Sequence, residues 1–187
     1  MLFDTLVTIA RVLNEAGVHW AVGASVLLYD HGLVDAPHDI DIMTSEADVD
    51  TVVSILDKLG RASLADPDRS LYSTSRFLEY LVDGTDVDVM AGLAIKHASG
   101  TYVFPFDDSS VTRRKKVEGV TIPFTSLEDW YVLYQLMPGR EAKVKLIEDR
   151  LRGNGTTDTV LLERALSREL PPDVRRRING LISSCRP

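Results

Sequence analysis

Asp39 and Asp41 stand two apart in the run His38-Asp39-Ile40-Asp41-Ile42-Met43, whose polar–apolar alternation predicts a half-buried strand. Side chains at i and i+2 of a strand share a face, so the two carboxylates project together while Ile40 and Ile42 face the core. Carboxylates side by side repel one another unless something positive sits between them. A divalent cation is the usual solution, and Mg²⁺ in particular is held by one or two carboxylates together with substrate phosphates. Asp86-Val87-Asp88-Val89 repeats the geometry. If the two strands are neighbours in a sheet, three or four carboxylates converge, with Asp86 and Asp88 both open as the third member. The alternative is a pair of strands with solvated polar faces, against which stands the poor β propensity of Asp. A third feature is Gly23-Ala24-Ser25, which follows a strand and opens a helix. Helix N-terminal N–H groups bind phosphate, glycine allows close approach, and Ser25 adds a hydroxyl donor. A plain strand-to-helix turn would use the same residues.

The elements that must position these groups can be read from periodicity. Leu2, Leu6, Ile9, Val12 and Leu13 recur at helical spacing, and Gly17 ends the pattern. His19 to Val22 predicts a short strand and Val26 to Tyr29 a short helix ending near Gly32. Residues 33–37 form a loop. Thr44 or Ser45 is expected to cap a helix that runs to Gly60 with Val49, Val52, Val53, Leu56 and Leu59 inward. Strands are expected at 71–75, 77–82 and 85–90, the last two joined by an Asp83-Gly84 hairpin turn. A second, weaker β region covers 101–106, 111–116 and 120–124. Ser126 opens a stretch that reads as helices at 127–136, 140–152, 157–169 and 172–184, separated by Gly153-Asn154-Gly155 and Pro171-Pro172. Trp130, Tyr131 and Tyr134 could line a pocket, but helix core is the simpler place for them. The predicted class is α+β with an α/β-like core: a mixed sheet flanked by helices over 1–125, and a C-terminal helical region over 126–187 packed on it.

Composition narrows the function classes. The chain has 187 residues, 44% hydrophobic and 26% charged, which is the balance of a globular domain. A net charge of −7 makes a strong general nucleic-acid binder an unfavoured expectation, the short clusters Arg113–Lys116 and Arg175–Arg177 notwithstanding. The lone Cys185 fits a reducing compartment. The opening MLFDTLVTIARVLNEAG lacks a basic leader and a cleavage site, and no stretch approaches a membrane span, so a cytoplasmic location is expected.

Taken together, the leading helix, Val22-Gly23-Ala24-Ser25, the short helix ending His31-Gly32, and His38-Asp39-Ile40-Asp41-Ile42 resemble the nucleotidyltransferase superfamily of the DNA-polymerase-β type. The pattern is near the small bacterial minimal, antibiotic and toxin-type members. The stretch from Ile122 to Arg140 is similar to the segment that joins their sheet to their helical part. The resemblance implies that Gly23, Ala24 and Ser25 hold a nucleoside triphosphate, and that Asp39 and Asp41 ligate Mg²⁺ (or Mn²⁺). It implies that Asp88, which best fits a carboxylate between two apolar residues, completes the metal set and takes the acceptor's proton. Asp86 is the fallback. His38, at the strand entry, is a further candidate for phosphate or acceptor contact, and Arg140, at the end of the similar segment, is a further candidate site residue. The implied reaction moves a nucleoside monophosphate from an NTP to a hydroxyl acceptor (a small molecule, RNA or protein) with release of pyrophosphate. Ala24 stands where many relatives carry Gly or Ser, Gln135 where they often carry lysine, and Glu141-Ala142 where a Lys-Asp pair often follows Gly-Arg. The last two departures keep open a catalytically reduced nucleotide- or partner-binding module, and a toxin-type member of a toxin–antitoxin pair is a separate alternative.

Overall fold

The computed structural model describes residues 1–63, 70–154 and 157–185. It resolves into two compact units, whose described residues are 1–63, 74–93 and 105–126 for the first and 70–73, 94–104, 127–154 and 157–185 for the second. Helices flank a mixed sheet, which is the α+β class expected.

The first unit holds a seven-stranded sheet. Its elements run α1 (Leu2–Glu15), β1 (Trp20–Val22), α2 (Ala24–Asp30), β2 (Ile40–Thr44), α3 (Val49–Leu59), β3 (Arg61–Ala62), β4 (Arg76–Val82) and β5 (Thr85–Ala91). Two further strands of this sheet, numbered β8 (Arg113–Val117) and β9 (Val120–Phe124), follow a single 3-10 turn at Asp108–Ser110. The spatial order is β3-β4-β5-β2-β1-β9-β8. β2 lies parallel to β5 and β1 parallel to β9, while the other pairs are antiparallel. The core is built from Leu6, Ile9 and Leu13 of α1, Val52 and Leu56 of α3, and Ile40, Ile42, Val87 and Val89 of the central strands, all buried.

Local chemistry explains the turns. Asp83 (φ 48°) and Gly84 (φ 75°) both adopt left-handed backbone, as a two-residue hairpin turn with the twist of its strands requires. This turn sets β4 against β5 with Val82 opposite Thr85 and Glu79 opposite Asp88. At one edge β3 has two residues; at the other, β8 presents Arg113, Arg114, Lys115 and Lys116 as exposed side chains. Short and charged edges resist pairing with other chains. Arg113 and Lys115 also clasp the buried carboxylate of Asp30 at the end of α2, each at 2.7 Å.

The second unit holds a two-stranded hairpin, β6 (Ala94–His97) with β7 (Gly100–Val103), and four helices. These are α4 (Leu127–Gln135), α5 (Glu141–Asn154), α6 (Thr159–Leu166) and α7 (Pro172–Cys185). Asp158 caps α6 through Val160 N–H (3.0 Å), and α7 starts on Pro172, where a missing N–H costs nothing. Trp130, Tyr131 and Tyr134 are buried, as core residues of α4. No helix among the described residues is long and apolar enough to cross a membrane.

Several local expectations are corrected. Residues 71–75 form no strand, only a bridge from Tyr72 to Ile95. α3 starts after Asp48, later than a cap at Thr44 or Ser45 would place it; Ser45 instead closes the turn just before the helix, its hydroxyl donating to the Asp48 carboxylate (2.7 Å) and accepting from Asp48 N–H (3.1 Å). The β6 strand was not anticipated. α5 runs through Asn154, and Gly155 of the expected break lies outside the described residues.

Candidate metal centre

β2 and β5 occupy the middle of the sheet and run parallel with Asp41 in register with Asp88. Residues in register on neighbouring strands point to the same face. The expected meeting of the two carboxylate strands therefore takes place, and the third partner arrives by a different route. Asp39 is not in β2, which begins at Ile40. It sits in the bend just before it, where the Ser25 hydroxyl donates to Asp39 Oδ1 (2.8 Å) and to the Asp39 carbonyl (3.1 Å). The backbone N–H of His38 donates to the same hydroxyl at 3.3 Å. These bonds hold residues 38 and 39 out of the strand ladder.

Asp39, Asp41 and Asp88 each offer a carboxylate oxygen, and the three oxygens lie within 4.8 Å of one another. Asp41 is buried, at 8% exposure, and Asp39 and Asp88 are half-buried. β2 is buried at all five positions, so it is not the half-buried strand the alternation suggested, and Asp41 is no part of a solvated face. An all-oxygen carboxylate set suits a hard cation such as Mg²⁺ or Mn²⁺. Oxygens on one Mg²⁺ at ~2.1 Å lie roughly 3–4 Å apart, so the set fits an ion with small side-chain rotations.

The remaining predicted residues are placed as follows. Asp86 is exposed and stands outside the cluster. His38 is exposed, and only its backbone meets Ser25. Arg140 is exposed in the second unit, where its carbonyl accepts from Val144 N–H at the start of α5. Gly23 is extended, caps α2, and donates its N–H to the Asp41 carbonyl (3.0 Å). Ala24 follows with φ 42°, left-handed backbone at a residue that is not glycine. Such conformations collect at functional sites, where the surroundings hold them. Sequence reading missed Glu79, which lies opposite Asp88 on β4. Counting back from the Asp83-Gly84 turn would have put it there.

The sequence matches the profile of the aminoglycoside-2''-adenylyltransferase family over residues 5–152, which is most of the chain. The chain belongs to that family. It is a nucleotidyltransferase, as the motif resemblance implied. Among solved structures it is similar to a candidate nucleotidyltransferase (TM1012) from Thermotoga maritima, with 25% identity and a TM-score of 0.61 over 80% of this chain and 91% of that one. ANT(2'')-Ia, seen in complex with adenylyl-2''-tobramycin, matches at 14% identity and a TM-score of 0.55 over 94% and 98% of the two chains. The lincosamide antibiotic adenylyltransferase LnuA, seen with lincomycin bound, matches at 15% identity and 0.52 over 78% and 95%. At those lower identities the likeness is one of fold. No curated protein sequence matches the chain.

Proposed function

We propose that this nucleotidyltransferase moves a nucleoside monophosphate, AMP first among candidates, from an NTP to a hydroxyl of a small amine-bearing antibiotic of the aminoglycoside class. The observation that carries the reading is the meeting of Asp39, Asp41 and Asp88 within 4.8 Å. The family match supports adenylyl transfer and the acceptor class. In this reading Asp39, Asp41 and Asp88 hold a divalent ion, and Gly23, Ala24 and Ser25 lie beside the triphosphate. When bound, the ion supplies neutralisation of the charge that develops on the phosphates. Asp88 accepts the proton of the acceptor hydroxyl on its carboxylate as that oxygen bonds to the α-phosphorus and the bond to pyrophosphate breaks. Much of the rate enhancement is positioning, because the attacking oxygen and leaving group must be in line.

The test is pyrophosphate release from each NTP with MgCl₂, with tobramycin or lincomycin as the acceptor. The expected result is release that depends on ATP and tobramycin and falls about 10³-fold in Asp88→Asn, which keeps the shape but loses the base. Release that needs lincomycin instead moves the acceptor class. Wild type no faster than Asp88→Asn in every mixture contradicts the proposal.

A further inference from the structure

Ser25 is 4% exposed, and its hydroxyl is already committed. A serine hydroxyl has one proton to give and two lone pairs to accept with. Here the proton goes to Asp39, shared between Oδ1 at 2.8 Å and the backbone carbonyl at 3.1 Å, and one lone pair receives His38 N–H at 3.3 Å. The resemblance to relatives assigns this side chain to the triphosphate, and a hydroxyl donating to a carboxylate does not at the same time donate to a phosphate oxygen. Backbone geometry points the same way. Ala24 takes the left-handed φ of 42°, and the Gly23 N–H donates to the Asp41 carbonyl at 3.0 Å, so that the turn ties the start of α2 to both ends of the Asp39-Ile40-Asp41 segment.

We infer that Ser25 is a positioning residue for Asp39: it holds one carboxylate oxygen so that the other is presented beside Asp41 and Asp88. The inference rests on the metal-centre reading proposed above. Asp39, lying in a bend rather than in the strand, lacks the ladder that fixes Asp41 and Asp88, and Ser25 supplies that constraint instead. Groups that orient a metal ligand in this way are worth about 10–100-fold in metal affinity when removed.

The experiment is Mn²⁺ binding to the intact chain without nucleotide, read from the electron paramagnetic resonance signal of the free ion, alongside steady-state kinetics and a melting curve for each variant. Ser25→Ala is expected to bind Mn²⁺ about tenfold more weakly and to lose about tenfold in kcat, with KM for the NTP changed by less than about twofold. Ser25→Thr, which keeps the hydroxyl, is expected to restore binding, and Ser25→Cys, a weaker donor, to fall between. Wild-type Mn²⁺ affinity in Ser25→Ala, with a raised NTP KM at unchanged kcat, overturns the inference and makes Ser25 a phosphate contact. A wild-type protein that binds no Mn²⁺, where melting shows it folded, overturns the metal reading itself and this inference with it.

Discussion

The aspartate cluster of the sheet unit and the buried and half-buried acids of the helical unit are set in opposite surroundings. In the sheet unit, Asp39, Asp41 and Asp88 bring acid to acid within 4.8 Å. In the helical unit acid meets arginine. The buried Asp129 of α4 accepts from Arg164 Nη2 of α6 at 3.0 and 3.2 Å, and Glu148 of α5 accepts from Arg152 Nε and Nη2 (3.2 and 2.8 Å) and from Arg177 Nε of α7 at 2.8 Å. Glu128 accepts the Asp158 N–H at 2.9 Å at the start of α6. Two like charges at such a separation repel by about 3 kcal/mol at an effective dielectric of about 20. A fold does not gather three of them for stability. The Arg164–Asp129 and Arg177–Glu148 pairs tie one helix to the next, whereas the aspartate cluster sets like charges side by side, a repulsion that the proposed cation would relieve. On the proposed function one arrangement is structural and the other serves the reaction, and substitutions should separate them.

The largest effect on stability belongs to the helical unit. Arg164→Ala leaves the Asp129 carboxylate buried at 2% exposure without its guanidinium, and breaking such a pair from one side costs about 3–5 kcal/mol. Chemical denaturation should show a loss of this size. If instead the variant is as stable as wild type, the contrast between the units fails on its structural side.

A smaller effect follows from Glu148. Burial pushes its carboxyl up, but the hydrogen bonds from Arg152 and Arg177 outweigh burial and hold it below the ordinary carboxylate range. A carboxyl depressed in the folded state contributes stability above its unfolded value of ~4.5, and that contribution is lost as pH falls through the folded value. Glu148→Gln should therefore be less stable than wild type at pH 7, by about 1 kcal/mol once solvent screening is allowed for, and the gap should close as pH falls through the depressed folded value. A gap independent of pH would show that packing, not charge, carries the contribution of Glu148.

How far these features were legible in the sequence depends on whether the signal is local. The Asp83-Gly84 dipeptide and the alternation on either side of it place β4 and β5 in register, and the helical periodicity at 127–184 places four helices. The two D-x-D pairs identify the strands of the site. The parallel pairing of β2 with β5 was not legible, because α3 and two strands separate them along the chain; nor was the choice of Asp88 over Asp86, which the residues themselves leave open. Asp39 was read as a strand residue because His38 to Met43 alternates so well. What overrides that pattern is a hydroxyl fourteen residues earlier, at Ser25. The 94–97 strand gives a weak pattern of only two apolar residues before Lys96, and the grouping of that hairpin with the C-terminal helices has no local signal at all.

The most direct measurement is the melting temperature of wild type and Asp41→Asn, each without and with saturating MgCl₂ or MnCl₂. Without metal the variant should melt at or above wild type, because one charge of the repelling set is gone. With metal the order should reverse, wild type rising by about 1.4 kcal/mol or more of stability at tenfold excess over Kd while the variant stays nearly unchanged. Equal metal shifts in the two proteins, or a variant that melts lower in both conditions, would contradict a divalent-ion centre at Asp39, Asp41 and Asp88.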